Sequence, residues 1–450
     1  MKRVGAKRLP KLQPDEAGDV VFEDRSAMDV KVHEHRKRRK SHQMSVRMEL
    51  GSLVMHLLFV TSIVPDGKPT TGYEIANKAI IDGLVRAGAR VTVIGFVWPG
   101  SKPLDPYNTI ILGEVDVRND TANFAQKLRW FGKAMMSGLT VSSVKLRVVT
   151  KETFRAAIAS VEPFDAYVLN GVPLPGAFED CFDDKPQIFI AHNVEHRSAR
   201  ENAEAATSSV QKYLFSRESR LLMGLEKRLC GRASFVFTLA DDDIDALGLS
   251  GTGRAAALPL VTGADTAKSK GRKVVRDLGL IGTWTWQPNR IGLEWFLREV
   301  VPHLDKDIGV TVAGSTPADI KAAWPEATFA GRVADATDFV CGCAVIPLIS
   351  RAGSGVQLKT IETFELGLPS VATALSVRGI ADIPDNCVVA DDPVAFAKAV
   401  NARVARVRAG EDLVREGDAF RAAQLVRFDQ HIRLGLDRLE ARIVNGRAAA

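Results

Sequence analysis

At 450 residues the chain is too long for one ordinary domain and suits two or three, and its 46% hydrophobic content supports large cores. A formal net charge of +6 fits anionic partners such as nucleotide sugars, membrane surfaces or nucleic acid, without choosing among them. Cys181, Cys230, Cys341, Cys343 and Cys387 are odd in number and scattered, and Cys341-Gly342-Cys343 has neither zinc nor redox spacing, so they read as small core residues in a reducing cytoplasm. No run approaches the ~20 apolar residues of a membrane span, and the start lacks the apolar core of a signal peptide, so a cytoplasmic location is expected.

Residues 1–50 are polar, lack periodicity and carry the run Arg36-Lys37-Arg38-Arg39-Lys40. A disordered basic tail is expected there, either without a role or in contact with anionic lipid or nucleic acid. No nucleic-acid-reading module follows it, so no nucleic acid partner is expected. Leu53 to Val60 reads as a buried strand, and Thr61 to Gly72 as a loop punctuated by Pro65, Gly67, Pro69 and Gly72. Tyr73 to Arg86 has helical spacing, Gly88 ends it, and Val91 to Phe96 reads as the next strand, completing a right-handed parallel unit. Phe124 to Val144, with Lys145 beside it, mixes Lys127, Arg129 and Lys133 with Trp130, Phe131, Met135 and Met136. It reads as a surface helix packed on its own sheet, or as an amphipathic face for a lipid-linked acceptor or the membrane surface.

Ala166 to Asn170 and Gln187 to Ala191 read as further strands, the second running straight into His192-Asn193-Val194-Glu195-His196. Polar groups at the C-terminal end of a parallel strand face a cleft, which makes His192, Asn193 and Glu195 site candidates. Val210 to Arg232 is a long basic helix, Ser234 to Leu239 a strand, and Asp241 to Asp243 are expected to cap the following helix rather than bind metal. Ala255 to Lys273, rich in Gly, Thr and Ala, is expected to be the linker between domains. Beyond it come a strand at Asp277 to Gly282, a helix from Pro288 to Val300, and strands at Val310 to Gly314 and Ala344 to Pro347. Asn289 and Arg290 lie near the start of that helix, where an anion is favoured.

The richest stretch runs from Arg351 to Thr373, RAGSGVQLKTIETFELGLPSVAT. It opens on Gly353-Ser354-Gly355, continues as a helix from Val356 to Leu366, stops at Gly367 and Pro369, and passes into a strand at Ser370 to Thr373. On helical spacing Gly355, Lys359 and Glu362 share one face. Backbone amides from Gly353 to Val356 can approach a phosphate, Lys359 adds a full charge, and Glu362 can accept hydrogen bonds from sugar hydroxyls: a pocket for a sugar diphosphate. A Walker A loop is excluded because Leu358, not Gly, precedes the lysine, and the dinucleotide-binding fingerprint lacks its third small residue.

This stretch resembles the donor-binding segment of the retaining glycosyltransferases of family 4, the glycosyl transferases of group 1. The resemblance continues upstream through GTWTWQPNRIGLEWFLREVVPHL, the FAGRV run and VIPLIS, and covers most of residues 53–400. It implies the GT-B fold: an α/β protein with two Rossmann-like parallel-sheet domains facing across a cleft. The expected division is a basic tail (1–50), an acceptor-side domain (51–262), a donor domain (263–410) and a helical tail crossing back to the first domain (411–450). Ser354 stands where many members carry the first of two glutamates, and Pro259 to Asp265 replaces their usual Asn-Gly-Val-Asp, so contacts made by those groups are not carried over.

The resemblance also implies roles. Glu362 would hold the ribose. Arg351, or Arg290 in place of a basic pair, would help Lys359 hold the diphosphate with Asn289 beside it, and Arg332 lies where the nucleotide base is bound. His192, in a segment similar to the HNVE run of a subgroup, would contact the transferred sugar or the attacking hydroxyl. Thr71 and Gly72 would line the cleft from the first βα loop. The implied activity is transfer of a glycosyl unit from a nucleotide sugar to a saccharide or lipid-linked acceptor, with retention and without metal or other cofactor. Surface polysaccharide or glycolipid synthesis, at the inner face of the cell membrane, is the setting it suggests. A sugar-nucleotide epimerase of the same fold and a non-catalytic nucleotide-sugar-binding protein are the alternatives.

Overall fold

The computed structural model describes residues 54–66, 71–118, 122–161, 163–353 and 355–448. The basic tail and Ser354 therefore lie outside the described residues.

Strands form where buried, β-branched and aromatic residues run without interruption, as the interior of a parallel sheet requires. All eight residues of β1 (His56–Ile63) are buried. Among the described residues β1 joins β2 (Arg90–Val97), β3 (Thr109–Glu114), β4 (Ala166–Asn170), β5 (Gln187–Ala191), β6 (Phe235–Thr238) and β7 (Ala255–Ala257) in a seven-stranded sheet of order β3-β2-β1-β4-β5-β6-β7. A second sheet has six strands: β8 (Arg276–Ile281), β9 (Val310–Ala313), β10 (Thr328–Gly331), β11 (Cys343–Leu348), β12 (Ser370–Ala372) and β13 (Cys387–Val389), ordered β10-β9-β8-β11-β12-β13. Every pairing within the two sheets is parallel. Each sheet thus runs outward in both directions from a central pair, β1/β4 in the first and β8/β11 in the second. Loops leaving such a pair go to opposite faces and open a crevice at the strands' C-terminal ends.

Several elements differ from the sequence reading. β3 escaped it because this edge strand is only partly buried and its apolar run, Ile110-Ile111-Leu112, is just three residues long. Ala255–Ala257, read as linker, pairs with β6 and closes the first sheet. The amphipathic stretch after β3 is two helices, Phe124–Ser137 and Val141–Leu146, split where Gly138 adopts φ 69°. Asp241 to Asp243 do not cap: Ala240 holds the N-cap position, and the three aspartates fill the first turn of the Asp241–Ala246 helix.

The last helix, Gly417–Ala448, packs its Phe428, Ile432, Leu436 and Leu439 into the core of the first sheet. Those residues recur at helical spacing, and burying each contributes about 1.5–3 kcal/mol. Gly83 leaves room for the Phe428 ring, where any Cβ would collide, and the Arg86 Nη2–Asp429 Oδ1 pair at 2.7 Å lies beside it. Residues 55–450 form one compact unit.

Candidate functional site

Two constellations sit at the two switch points. In the second domain the glycine-rich bend leads into the Leu358–Glu365 helix. The helix starts at Leu358, not Val356, so Gly355 does not share a helical face with Lys359 and Glu362. The reason is conformational: Gly353 and Gly355 have φ of 98° and 83°, a left-handed backbone that an α-helix cannot contain. Among the described residues no side chain caps the helix start. The bend's approach is fixed at Ser350, whose N–H donates to Ser376 Oγ (2.9 Å) and whose carbonyl accepts from Thr373 Oγ1 (2.6 Å).

The pocket beside this bend is walled by Trp284, Pro288, Asn289, Gln357, Lys359 and Glu362. Lys359 Nζ lies 5.2 Å from the centroid of the Trp284 ring and makes no ion pair among the described residues. Burial lowers its pKa to about 8. Gly282 permits this placement, since a Cβ there would stand 3.2 Å from Nζ. Trp284 is held in turn by its indole N–H donating to the Ala313 carbonyl at 2.8 Å. Burial raises the pKa of Glu362, and a hydrogen bond from Thr337 Oγ1 (3.2 Å) opposes that shift. Beneath them Glu365, fully buried, accepts from Thr262 N (2.8 Å), Thr262 Oγ1 (2.6 Å) and Ala264 N (3.1 Å). The interdomain linker is thereby fastened to the helix that carries Lys359.

The centre of the first-domain constellation is a neutral hydrogen-bonded network. Asn170 ends β4 and is completely buried. Its amide nitrogen lies 2.7 Å from Asn77 Oδ1 and 3.2 Å from both Thr61 Oγ1 and Tyr73 OH. The amide oxygen is left to accept from His192 Nε2 at 2.8 Å. This network assigns the Nε2–H tautomer to His192. Burial lowers the histidine pKa to about 4, so the ring is neutral near pH 7, and Tyr73 packs on it with ring centroids 4.8 Å apart. Glu195 has its pKa raised by burial first and by Glu226 second. Glu226 accepts from Glu195 N (2.7 Å), His196 N (3.3 Å) and His196 Nδ1 (2.7 Å), holding the start of the Glu195–Ala205 helix.

The constellations meet at Gly355. A Cβ there would collide with Asn193 Oδ1 and stand 3.1 Å from the His192 carbonyl oxygen. A second contact brings Gly72 against Leu358, with 3.2 Å from an added Cβ to Leu358 Cδ1. Thr71 acts as a capping box with Glu74: its hydroxyl accepts from Glu74 N (3.3 Å) and its N–H donates to Glu74 Oε2 (3.0 Å).

Of the residues singled out in the sequence, Lys359, Glu362 and Asn289 share the pocket, while Gly355, Val356, His192 and Asn193 gather at the domain contact. The three arginines do not line that pocket. Arg290 is engaged by Glu294 Oε1 (2.8 Å) and Asp319 Oδ2 (2.5 Å). Arg351 stacks over Trp295 at 4.8 Å and donates to Asp391 Oδ1 at 3.2 Å, and Arg332 is exposed at the end of β10. Residues missed in the sequence are Thr61, Tyr73, Asn77, Asn170, Trp284, Glu365 and Arg378. The rule that selected His192, a polar group at the end of a parallel strand, would also have selected Asn170 and Thr61. No local signal marks Glu365 or Arg378, whose partners lie far away in the chain.

Two parallel Rossmann-like sheets, each with its crevice at a switch point and joined across a cleft, constitute a GT-B fold. The chain resembles the structures of sucrose-phosphate synthase from Thermosynechococcus elongatus (14% identity, 87% of this chain and 100% of that one, TM-score 0.61) and of TarM (11%, 86% and 98%, 0.54). It also resembles the catalytic domain of starch synthase IV from Arabidopsis thaliana bound to ADP and acarbose (10%, 86% and 99%, 0.51). At these identities the likeness shows the fold. Residues 275–405, which carry the Lys359 pocket, match the family model described as glycosyl transferases group 1. No curated protein matches the chain.

Proposed function

We propose that the protein is a retaining glycosyltransferase that takes its sugar from a nucleoside diphosphate. The observation that carries this is Lys359, a cation desolvated over Trp284 with no carboxylate partner among the described residues, at the switch point of the domain that matches the group 1 family model. A buried ammonium lacking a counter-ion is strained toward its neutral form, and an incoming diphosphate supplies the missing charge. The capture of starch synthase IV with ADP supports the same ligand class.

When the bond from the anomeric carbon to the phosphate oxygen breaks, negative charge grows on the departing diphosphate. Lys359 stabilises that charge, helped by the backbone amides of Gly353, Gly355 and Val356. The acceptor hydroxyl then bonds to the anomeric carbon on the face the diphosphate leaves, and its proton passes to the departing oxygen. Glu362 holds ribose hydroxyls, and neutral His192 positions the sugar without competing for the diphosphate. Lys359 supplies the positive charge that a metal would otherwise bring.

The acceptor is a saccharide or a lipid-linked saccharide. The Phe124–Ser137 helix supports a membrane-side acceptor: it contains no acidic residue, exposes Phe124 (81%) and Met136 (91%), and carries Lys127, Arg129 and Lys133. Phe124→Glu with Leu128→Glu is expected to lower co-sedimentation with anionic vesicles; unchanged sedimentation removes the membrane reading.

The deciding experiment is a thermal-shift panel of UDP, ADP, GDP and their sugars, followed by transfer assays with the one that stabilises the fold. Stabilisation by none of them would end the proposal. Incubation with the donor alone separates transfer from epimerisation.

A further inference from the structure

Arg378 lies in the loop after β12, in the second domain, and reaches into the first. Its Nε lies 2.9 and 2.7 Å from the two carboxylate oxygens of Asp242, and its Nη2 donates to Asp243 Oδ1 at 2.6 Å. Asp243 is 1% exposed and Arg378 only 14%, so this is not a solvated surface pair. The remaining arm, Nη1, donates to the Gly355 carbonyl at 3.3 Å. One planar guanidinium thus grips two carboxylates of the opposing domain and the backbone of the glycine-rich bend together, a geometry that a lysine cannot reproduce. The neighbouring residue tightens the joint: Gly379, at φ 74°, would place a Cβ 3.0 Å from Val356 and 3.2 Å from the Ala240 Cβ.

We infer that Arg378 is a positioning residue that couples closure of the two domains to the shape of the diphosphate-binding bend. With the domains together, the aspartates orient the guanidinium and the guanidinium fixes Gly355. If they part, the bend loses that anchor along with its Asn193 contact. By linkage, a ligand that needs the ordered bend must favour the joined domains, and a change on the far domain must weaken that ligand. The ligand half of this inference rests on the function proposed above; the structural half does not.

The test uses the full chain with Asp243→Asn, which keeps the side-chain shape and lies outside the Lys359 pocket, and Arg378→Lys, which keeps charge but not the fork. Hydrogen exchange without nucleotide is followed at residues 351–357, alongside thermal unfolding. Affinity is then measured for the nucleoside diphosphate that stabilises the unaltered protein. Exchange in the bend should rise at least tenfold in both variants, with nucleotide affinity falling five- to tenfold while the unfolding midpoint stays within a few degrees. Unaltered exchange in the bend overturns the inference, as does undiminished affinity beside a lowered unfolding midpoint, because the pair would then only stabilise the fold. Faster exchange in a protein that binds no nucleoside diphosphate supports the coupling and removes the proposed function instead.

Discussion

At the switch point of the second sheet, Lys359 and Glu362 are charged groups held in a poorly solvated pocket with few partners. At that of the first sheet, Thr61, Tyr73, Asn77, Asn170 and His192 form a neutral network in which each polar group touches another. The same strand order supports both. The difference teaches that a Rossmann crevice has no chemistry of its own, and that the side chains at the strand ends supply it. A desolvated cation waits for an anion, whereas a satisfied neutral network is suited to orient hydroxyl groups without attracting charge.

The sharpest way to break this contrast is Lys359→Ala. Turnover should fall by about 100-fold or more, the cost of removing a preformed donor from a developing anion, with the circular dichroism spectrum unchanged. Near-normal turnover would mean that the diphosphate is held elsewhere. His192→Ala tests the opposite wall. Transfer should fall by about tenfold or more while affinity for the nucleoside diphosphate stays the same, so calorimetry and rate assays on one preparation distinguish the walls. If that variant loses nucleotide affinity, the division of labour is wrong.

Smaller effects sharpen the picture. Glu362→Gln should weaken the nucleoside diphosphate by about tenfold, the scale of a hydrogen bond to a charged group, and weaken the matching 2′,3′-dideoxyribose analogue much less. Affinity should also depend on pH. The lysine pKa of about 8 means that the cation is present below pH 8 and lost above it. Binding an anion should therefore be strongest at neutral pH and decline by about tenfold between pH 7 and 9, with proton uptake near pH 8. In Lys359→Met that dependence should vanish. His192, neutral from about pH 4 upward, contributes nothing to the same window.

Much of this was legible in the chain itself. β4 and β5 were bounded to the residue, because short apolar runs flanked by turn residues leave little choice. Lys359 and Glu362 could be paired because three positions on a helix fix their relation whatever surrounds it. The α/β order and the stop at Gly367, with φ 65°, followed from local preferences alone. Tertiary structure decided what depends on distant neighbours. Arg290 and Arg351 looked available to an anion until Asp319, Glu294 and Asp391 were brought to them. Asp242 and Asp243 looked like a cap until Arg378 arrived from 135 residues away. Gly355 was aligned with the helical face of Lys359, but its left-handed backbone, with φ 83°, sets it outside the helix, close against Asn193 and His192 of the opposing domain. Periodicity and capping act within a few residues and are written in order along the chain. Partner choice, desolvation and close approach act through space, and exist only once the two sheets have come together.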